Sequence, residues 1–272
     1  MRKGKGSQSA ESGVGADAET SAQKMLRLLQ CFSIFDRSLS VSQIAERTGM
    51  PRSTAHRWCL SLRQVGFLDQ DQARDEYRLG LGLFQLGNIV LSSMDLHRQA
   101  RPVVESLTRA AQDGVHLCVF DGMQMVFVSH SQGGRSGRNN STTVVEGSPC
   151  YCTSVGKAAL AFQPDNVVQR AIDQGLQGYT RNTITDPTRL RDELRLTRER
   201  GYSVDNGEME PHVRCVGAPV RNASGQVIAA ISVTSTFKRL TDERIRKIAP
   251  LVINHADALS IQLGYRVPAA QI

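Results

Sequence analysis

The segment from Ser40 to Leu79 constrains this chain more than any other. Ser40-Val41-Ser42-Gln43 has the form of a capping box, in which the serine hydroxyl accepts the N–H of Gln43 and opens a helix. Val41, Ile44 and Ala45 give that helix a short apolar stripe. Thr48-Gly49-Met50 ends it, with Gly49 suited to the left-handed conformation of a tight turn. Pro51 is expected at the first position of the next helix, where a missing N–H costs nothing. Ala55, Trp58, Cys59 and Leu62 then recur at helical spacing. Two short alternating segments, 67–70 and 76–79, flank a polar connection from Asp71 to Asp75 and read as a hairpin. An amphipathic helix over 21–35, with Met25, Leu28, Leu29 and Phe32 inward, precedes all of this. Helix, helix, turn, helix, hairpin is the order of a winged helix-turn-helix.

Charge adds a partner to that shape. The chain carries 33 Lys and Arg against 26 Asp and Glu. From Arg47 to Leu68 there is no acidic residue, while Arg47, Arg52, His56, Arg57 and Arg63 all fall there. A helix fits the major groove of a duplex, and its N-terminus favours phosphate. Arg52, Ser53 and Thr54 therefore suit phosphate or base contact, and His56 and Arg57 suit groove contact. Arg74 and Arg78 on the hairpin could reach backbone or minor groove, although Asp71 and Asp75 at its tip oppose that. The bland alternative is a solvated polar helix face.

The remainder reads as mixed α/β. At 272 residues the chain has room for about two domains. A linker helix is expected over 81–97 and another helix over 100–112. Strands 115–120 and 125–130 flank the turn signal Asp121-Gly122. A long loop follows over 131–149, with one short strand at 142–145. Further helices are expected at 154–163, 187–200 and 241–263 (bent at Pro250), with strands at 213–220 and 227–235. The domain boundaries that result are a disordered tail at 1–19, a DNA-binding domain at 20–82, a linker helix at 83–97 and a second domain at 98–266. No apolar run reaches 18 residues, and residues 1–19 lack the apolar core of a secretory signal, so no membrane and a cytoplasmic location are expected. Six thinly spread cysteines read as reduced thiols.

With these residues in place, the chain resembles the IclR family of bacterial transcription regulators, from about residue 21 to residue 264. The N-terminal match rests on Ile44-Ala45-Glu46-Arg47-Thr48-Gly49, Ser53-Thr54-Ala55-His56-Arg57 and Tyr77-Arg78-Leu79-Gly80. The C-terminal match rests on Cys152-Thr153-Ser154-Val155-Gly156-Lys157-Ala158, Arg200-Gly201-Tyr202-Ser203-Val204-Asp205, Val213-Arg214-Cys215-Val216-Gly217-Ala218-Pro219-Val220 and Ala230-Ile231-Ser232-Val233. The resemblance implies an α+β chain: a winged helix-turn-helix, a linker helix and a GAF-like α/β effector-binding domain. It implies homodimers or homotetramers on double-stranded DNA with a palindromic operator, controlled by a small organic acid. The regulator so read represses a catabolic operon, is not an enzyme and needs no cofactor.

The helix opening at Ser154 would offer the backbone N–H groups of Ser154 and Val155 to a carboxylate, with Gly156 letting the ligand approach. By position within matching blocks, the family's other pocket residues carry over to Asp205, Val213, Cys215, Ser232 and Thr234. Ser232 and Thr234 alternate along one strand and so share a face. The chain departs from the family at Asn206-Gly207, at Pro211-His212 and at Ser148-Pro149-Cys150-Tyr151, so the pocket is expected to be reshaped. Cys118, Cys150, Cys152, Cys215, His116 and His212 could in principle bind metal, but CxC lacks the spacing of common zinc modules and no metal is expected. Two alternatives use thiols: a redox sensor built on Cys150 and Cys152, and a GAF-like enzyme whose Cys152 is activated at a helix N-terminus.

Overall fold

The computed structural model describes residues 19–33, 36–71, 73, 75–93, 95–131, 133 and 147–266. The tail through residue 18, the outer end of the expected first helix at 34–35, Arg74 and the strand expected at 142–145 lie outside the described residues. The chain divides into two compact units, one ending at Phe84 and the other starting at Gln85.

The first unit runs α1 (Ser21–Leu29), β1 (Leu39–Ser40), α2 (Val41–Thr48), α3 (Arg52–Gln64), β2 (Leu68–Asp71) and β3 (Glu76–Leu79). The capping box at Ser40 and Gln43 is formed, and Thr20 and Gln23 build a second one at α1. Gly49 closes α2 at φ 68°, the left-handed region that a side chain disfavours. Pro51 is the N-cap of α3 rather than its first residue; its carbonyl accepts the N–H groups of Thr54 and Ala55. The helices bury Leu28, Ile44, Ala55, Trp58, Cys59 and Leu62 against Leu39, Leu68 and Tyr77. The two-residue β1, not foreseen from sequence, pairs Leu39 with Tyr77 and completes a three-stranded sheet in the order β1-β3-β2.

Two helices, α4 (Leu81–Ser93) and α5 (Asp95–Ala111), follow. The second unit then carries β4 (Gly114–Phe120), β5 (Gln124–Ser131), β6 (Ser148–Pro149), α6 (Ser154–Leu160), α7 (Asp165–Asp173), α8 (Pro187–Arg200), β7 (Ser203–Asn206), β8 (Val213–Arg221), β9 (Val227–Thr236) and α9 (Asp242–Gln262). The strands form one antiparallel sheet in the order β6-β5-β4-β9-β8-β7. Alternation along each strand divides the side chains between two faces. Val115, Leu117, Val216, Ala218, Ile231 and Val233 pack with α5 and α9 in the main core. Cys118 and Ala230 face the other way, against Val155, Ala158 and Ala159 of α6. Helix α7 and strands β6 and β7 are additions to the sequence reading, β6 falling in the expected loop, and α9 continues through Pro250.

Candidate functional site

In the first unit the relevant surface is α3. Its inward positions, 55, 58, 59 and 62, are buried, so the helical period turns the intervening residues outward. Arg52, Ser53, His56 and Arg57 are exposed and Thr54 half-exposed. The four arginines of the acid-free strip separate into two kinds. Arg47 donates to the Cys31 carbonyl and pairs with Asp36, both at 3.0 Å. Arg63 is held by the Gln70 side chain. Arg52 and Arg57 have no ion pair or side-chain hydrogen bond among the described residues. Arg47 and Arg63 stay exposed but are engaged within the protein, whereas Arg52 and Arg57, on the first half of α3, are not. Arg78 is exposed on the wing but pairs with Asp69 at 2.5 Å, which holds the Asp69 carboxyl below its usual range. The turn ahead of α3 is braced from α1: Arg27 donates to the Thr48 carbonyl at 2.7 Å.

In the second unit the sheet face under α6 carries a cavity of about 50 Å³. All seven residues singled out from sequence, Ser154, Val155, Asp205, Val213, Cys215, Ser232 and Thr234, line it. Strand register explains why. Gly114, Thr234, Cys215 and Asp205 are successive partners across β4, β9, β8 and β7. The neighbouring row is His116, Ser232, Gly217 and Ser203. Helix α6 seats on the second row. A Cβ on Gly217 would lie 2.8 Å from the Ser154 carbonyl, and Ser203 Oγ donates to that carbonyl at 2.5 Å. Gly156, expected to admit a ligand, instead admits the chain itself: a Cβ there would meet the Cys150 backbone at 2.5 Å. Thr153 caps α6 by accepting the Gly156 N–H at 3.1 Å, which leaves the Ser154 and Val155 N–H groups with no acceptor among the described residues.

Sequence reasoning passed over six further lining residues: His116 (weighed only as a metal ligand), Phe127, Ser148, Thr153, Met209 and Glu210. Their common signal is position beside a matched block or opposite a matched strand, which needs the register. His116 meets the Phe127 ring edge-on at 5.3 Å. Burial and then His130 lower its pKa to about 4, so the imidazole is neutral. Burial pushes Asp205 up to about 7, against the Glu208 N–H that it accepts at 2.8 Å. Burial also raises Glu210. Cys215 Sγ lies 2.8 Å from Thr234 Oγ1, and burial pushes its thiol up.

An ionic bridge adjoins the cavity. Lys157 of α6, only 1 % exposed, donates to the Val204 carbonyl at 2.6 Å and pairs with Glu208, with Glu193 of α8 at 3.7 Å. Thr180 and Thr183 donate to the Gly207 and Glu208 carbonyls at 2.6 Å each and pin the β7–β8 connection.

The thiol alternatives meet an adverse environment. Cys150 and Cys152 are buried. Burial pushes Cys150 up to about 12 and raises Cys152, to which Asp205 and Glu208 add. The helix-start activation expected for Cys152 is thus reversed by desolvation and neighbouring carboxylates. No three His, Cys, Asp or Glu side chains converge as a metal site would require among the described residues, and no helix among them is long and apolar enough to cross a membrane.

A winged helix-turn-helix with an outward basic reading helix, followed by a separate α/β unit, defines a DNA-binding transcriptional regulator. Residues 21–72 match the IclR helix-turn-helix domain, and residues 88–261 match the family described as bacterial transcriptional regulator IclR C-terminal. The HTH-type transcriptional regulator KipR of Bacillus subtilis is 32% identical over 243 residues, covering 89% of this chain and 96% of KipR. A crystal structure of an IclR transcriptional regulator from Silicibacter superposes with a TM-score of 0.82 at 25% identity, over 92% of this chain and 98% of that one. An IclR homologue from Microbacterium hydrocarbonoxydans, solved with 4-hydroxybenzoate, shares the fold with a TM-score of 0.74 at 23% identity, over 88% of this chain and 97% of that one. The chain belongs to the IclR family, whose members are transcriptional regulators rather than enzymes.

Proposed function

We propose that this protein is a ligand-responsive repressor of a catabolic operon, acting in the cytoplasm as a homodimer or homotetramer on a palindromic operator. The observation that carries it is the exposed face of α3, where Arg52, Ser53, His56 and Arg57 stand together over a buried stripe. Thr54 and Arg78 assist at the edges of that face, Arg78 after exchanging Asp69 for phosphate. A dimer presents two such helices to successive major grooves. Helix α4 supports the oligomer: it has no charged residue, and Leu81 (78 %) and Phe84 (65 %) are exposed, which is apolar surface suited to a second copy.

The cavity is the effector site in this reading. Ser154, Ser232 and Thr234 hydroxyls and the Ser154 and Val155 N–H groups supply donors for the carboxylate of a small organic acid. Asp205, Val213 and Cys215 complete the wall. The Microbacterium homologue with 4-hydroxybenzoate supports ligand binding on this fold. A metabolite that prefers one arrangement of the chain shifts DNA affinity by that preference. Loosening of DNA binding when a substrate fills the cavity gives induction on demand, which is the logic of a breakdown operon.

The test is a fluorescence anisotropy titration of the full chain on duplex from its own promoter region. Arg57→Ala should weaken binding by about 1–3 kcal/mol, roughly five- to 150-fold. Unchanged affinity rejects the role of α3. Replacing Ser232 and Thr234 together by Val should keep DNA affinity and abolish release by any metabolite that frees the wild-type protein.

A further inference from the structure

Two neighbouring residues at the start of β4 meet two neighbouring residues of β9 on opposite faces of the sheet. On the cavity face Gly114 is the cross-strand partner of Thr234, and a Cβ on it would lie 2.9 Å from the Thr234 methyl. The hydroxyl of that threonine faces Cys215 Sγ at 2.8 Å. Methyl and hydroxyl share one stiff torsion, so the space over Gly114 fixes where the hydroxyl points. Alternation sends the next pair to the other face. There Ser235 donates to Asp113 Oδ1 at 2.8 Å.

Asp113 stands just beyond the end of α5. It is buried, and its carboxylate also pairs with Arg239 at 3.0 Å and with Arg244. The same two guanidinium groups hold carbonyls at the helix end. Arg244 donates to the Ala111 carbonyl and Arg239 to the Gln112 carbonyl, each at 2.8 Å. Gln112 turns the chain at φ 57°, a left-handed position filled here without the usual glycine. Charge-assisted hydrogen bonds thus tie the end of α5 to β9 and to the start of α9. Groups packed and bonded in this way move together rather than absorbing a shift locally. Along the chain α5 follows α4, which follows the wing strand β3.

We infer that the Asp113–Gly114 junction carries the state of the cavity to α5. Thr234 against Gly114 is the input, and Asp113 is the positioning residue that holds the helix end to β9. The inference rests on reading the cavity as the effector site and adds which residues make its occupation felt. A ligand that turns Thr234 drives its methyl against Gly114, and the bonds of Asp113 pass the movement to the helix. Asp113 itself is not part of the cavity lining.

The test needs no ligand, because a methyl group at position 114 presses on Thr234 from behind. Affinity of the full chain for duplex from its own promoter region is read by fluorescence anisotropy, with urea midpoints confirming that folded protein is compared. Gly114→Ala should change that affinity about fivefold or more, in either direction. Thr234→Ser deletes the opposing methyl, so Gly114→Ala in that background should change affinity by less than about twofold. Asp113→Asn should reduce the effect of Gly114→Ala to less than about twofold as well. Arg239→Gln, at an exposed side chain, should do the same and serves if Asp113→Asn fails to fold. Ser235→Ala cuts the tie from β9 to Asp113 without added bulk and replaces Gly114→Ala if that variant fails to fold; a shift in DNA affinity is expected, and none overturns the inference. A junction that serves only the fold would lower the urea midpoint and leave DNA affinity unmoved. Unchanged affinity in Gly114→Ala, or an effect that persists in full beside Thr234→Ser or Asp113→Asn, overturns the inference. These readouts involve no metabolite, so their failure leaves the effector site standing. That site falls separately, if release by a metabolite survives replacement of Ser232 and Thr234 by Val.

Discussion

Lys157→Met removes the cation that ties α6 to the β7–β8 connection, and the structure sets the size of the consequence. Glu208 is 4 % exposed, and one of its carboxylate oxygens, Oε2, already lacks a partner among the described residues. The Val204 carbonyl loses its donor at 2.6 Å as well. Breaking a buried pair by removing one member costs about 3–5 kcal/mol, because the remaining charge stays buried. That is a large share of the roughly 5–15 kcal/mol that holds a domain together. Burial raises the pKa of Glu208, so the variant relieves part of the cost by taking up a proton, and the loss shrinks as pH falls. Replacing Glu208 by Gln in the same chain removes the stranded charge and should restore stability to within about 1–2 kcal/mol of wild type. Urea denaturation followed by far-UV circular dichroism and tyrosine emission is the assay. Tryptophan emission would miss the event, since the single tryptophan, Trp58, belongs to the first unit. A loss below about 1 kcal/mol for Lys157→Met, or additive effects of the two single changes, would refute a coupled bridge.

Three further outcomes follow from the geometry. Burial raises the folded pKa of Asp205 to about 7 from an ordinary 3.8, so its stabilising contribution is complete below about pH 4 and is lost as pH rises through 7; Asp205→Asn should flatten that slope in urea midpoints measured across the window, and a slope identical to wild type contradicts the assignment. Gly217→Ala drives a methyl to 2.8 Å from the Ser154 backbone and should destabilise the second unit by about 1–3 kcal/mol, with normal stability showing that α6 does not seat on β8. Phe84→Glu places a charge on the exposed apolar surface of α4 and should lower the mass measured by light scattering, whereas an unchanged assembly moves the interface elsewhere.

The first unit was the most legible part of the chain because its instructions are local. Ser40 caps α2 through a residue three positions away, Gly49 ends it by its own φ, and the inward stripe of α3 repeats within thirteen residues. Helix α7 escaped because nine residues behind Pro164 give too short a stripe to separate from loop. Strand β7 escaped for a different reason. Four residues carry almost no periodicity, and Ser203–Asn206 is extended only because β8 lies beside it. The activation expected for Cys152 failed on burial, which no spacing reveals.

By itself the sequence determined the helix-turn-helix, the outward basic residues of α3 and the alternation that puts Ser232 and Thr234 on one face, since caps, turns and periods act over a few residues. The tertiary structure alone decided which alternating residues become neighbours. Asp205 meets Cys215 and Thr234 through the register of three strands, and Glu208 meets Lys157 across 51 positions of chain. It also decided which of the exposed arginines are engaged within the protein, Arg47 with Asp36 and Arg63 with Gln70, and which, Arg52 and Arg57, are not. Such contacts are bought with chain-closure entropy against packing over the whole unit, and no local pattern carries that balance.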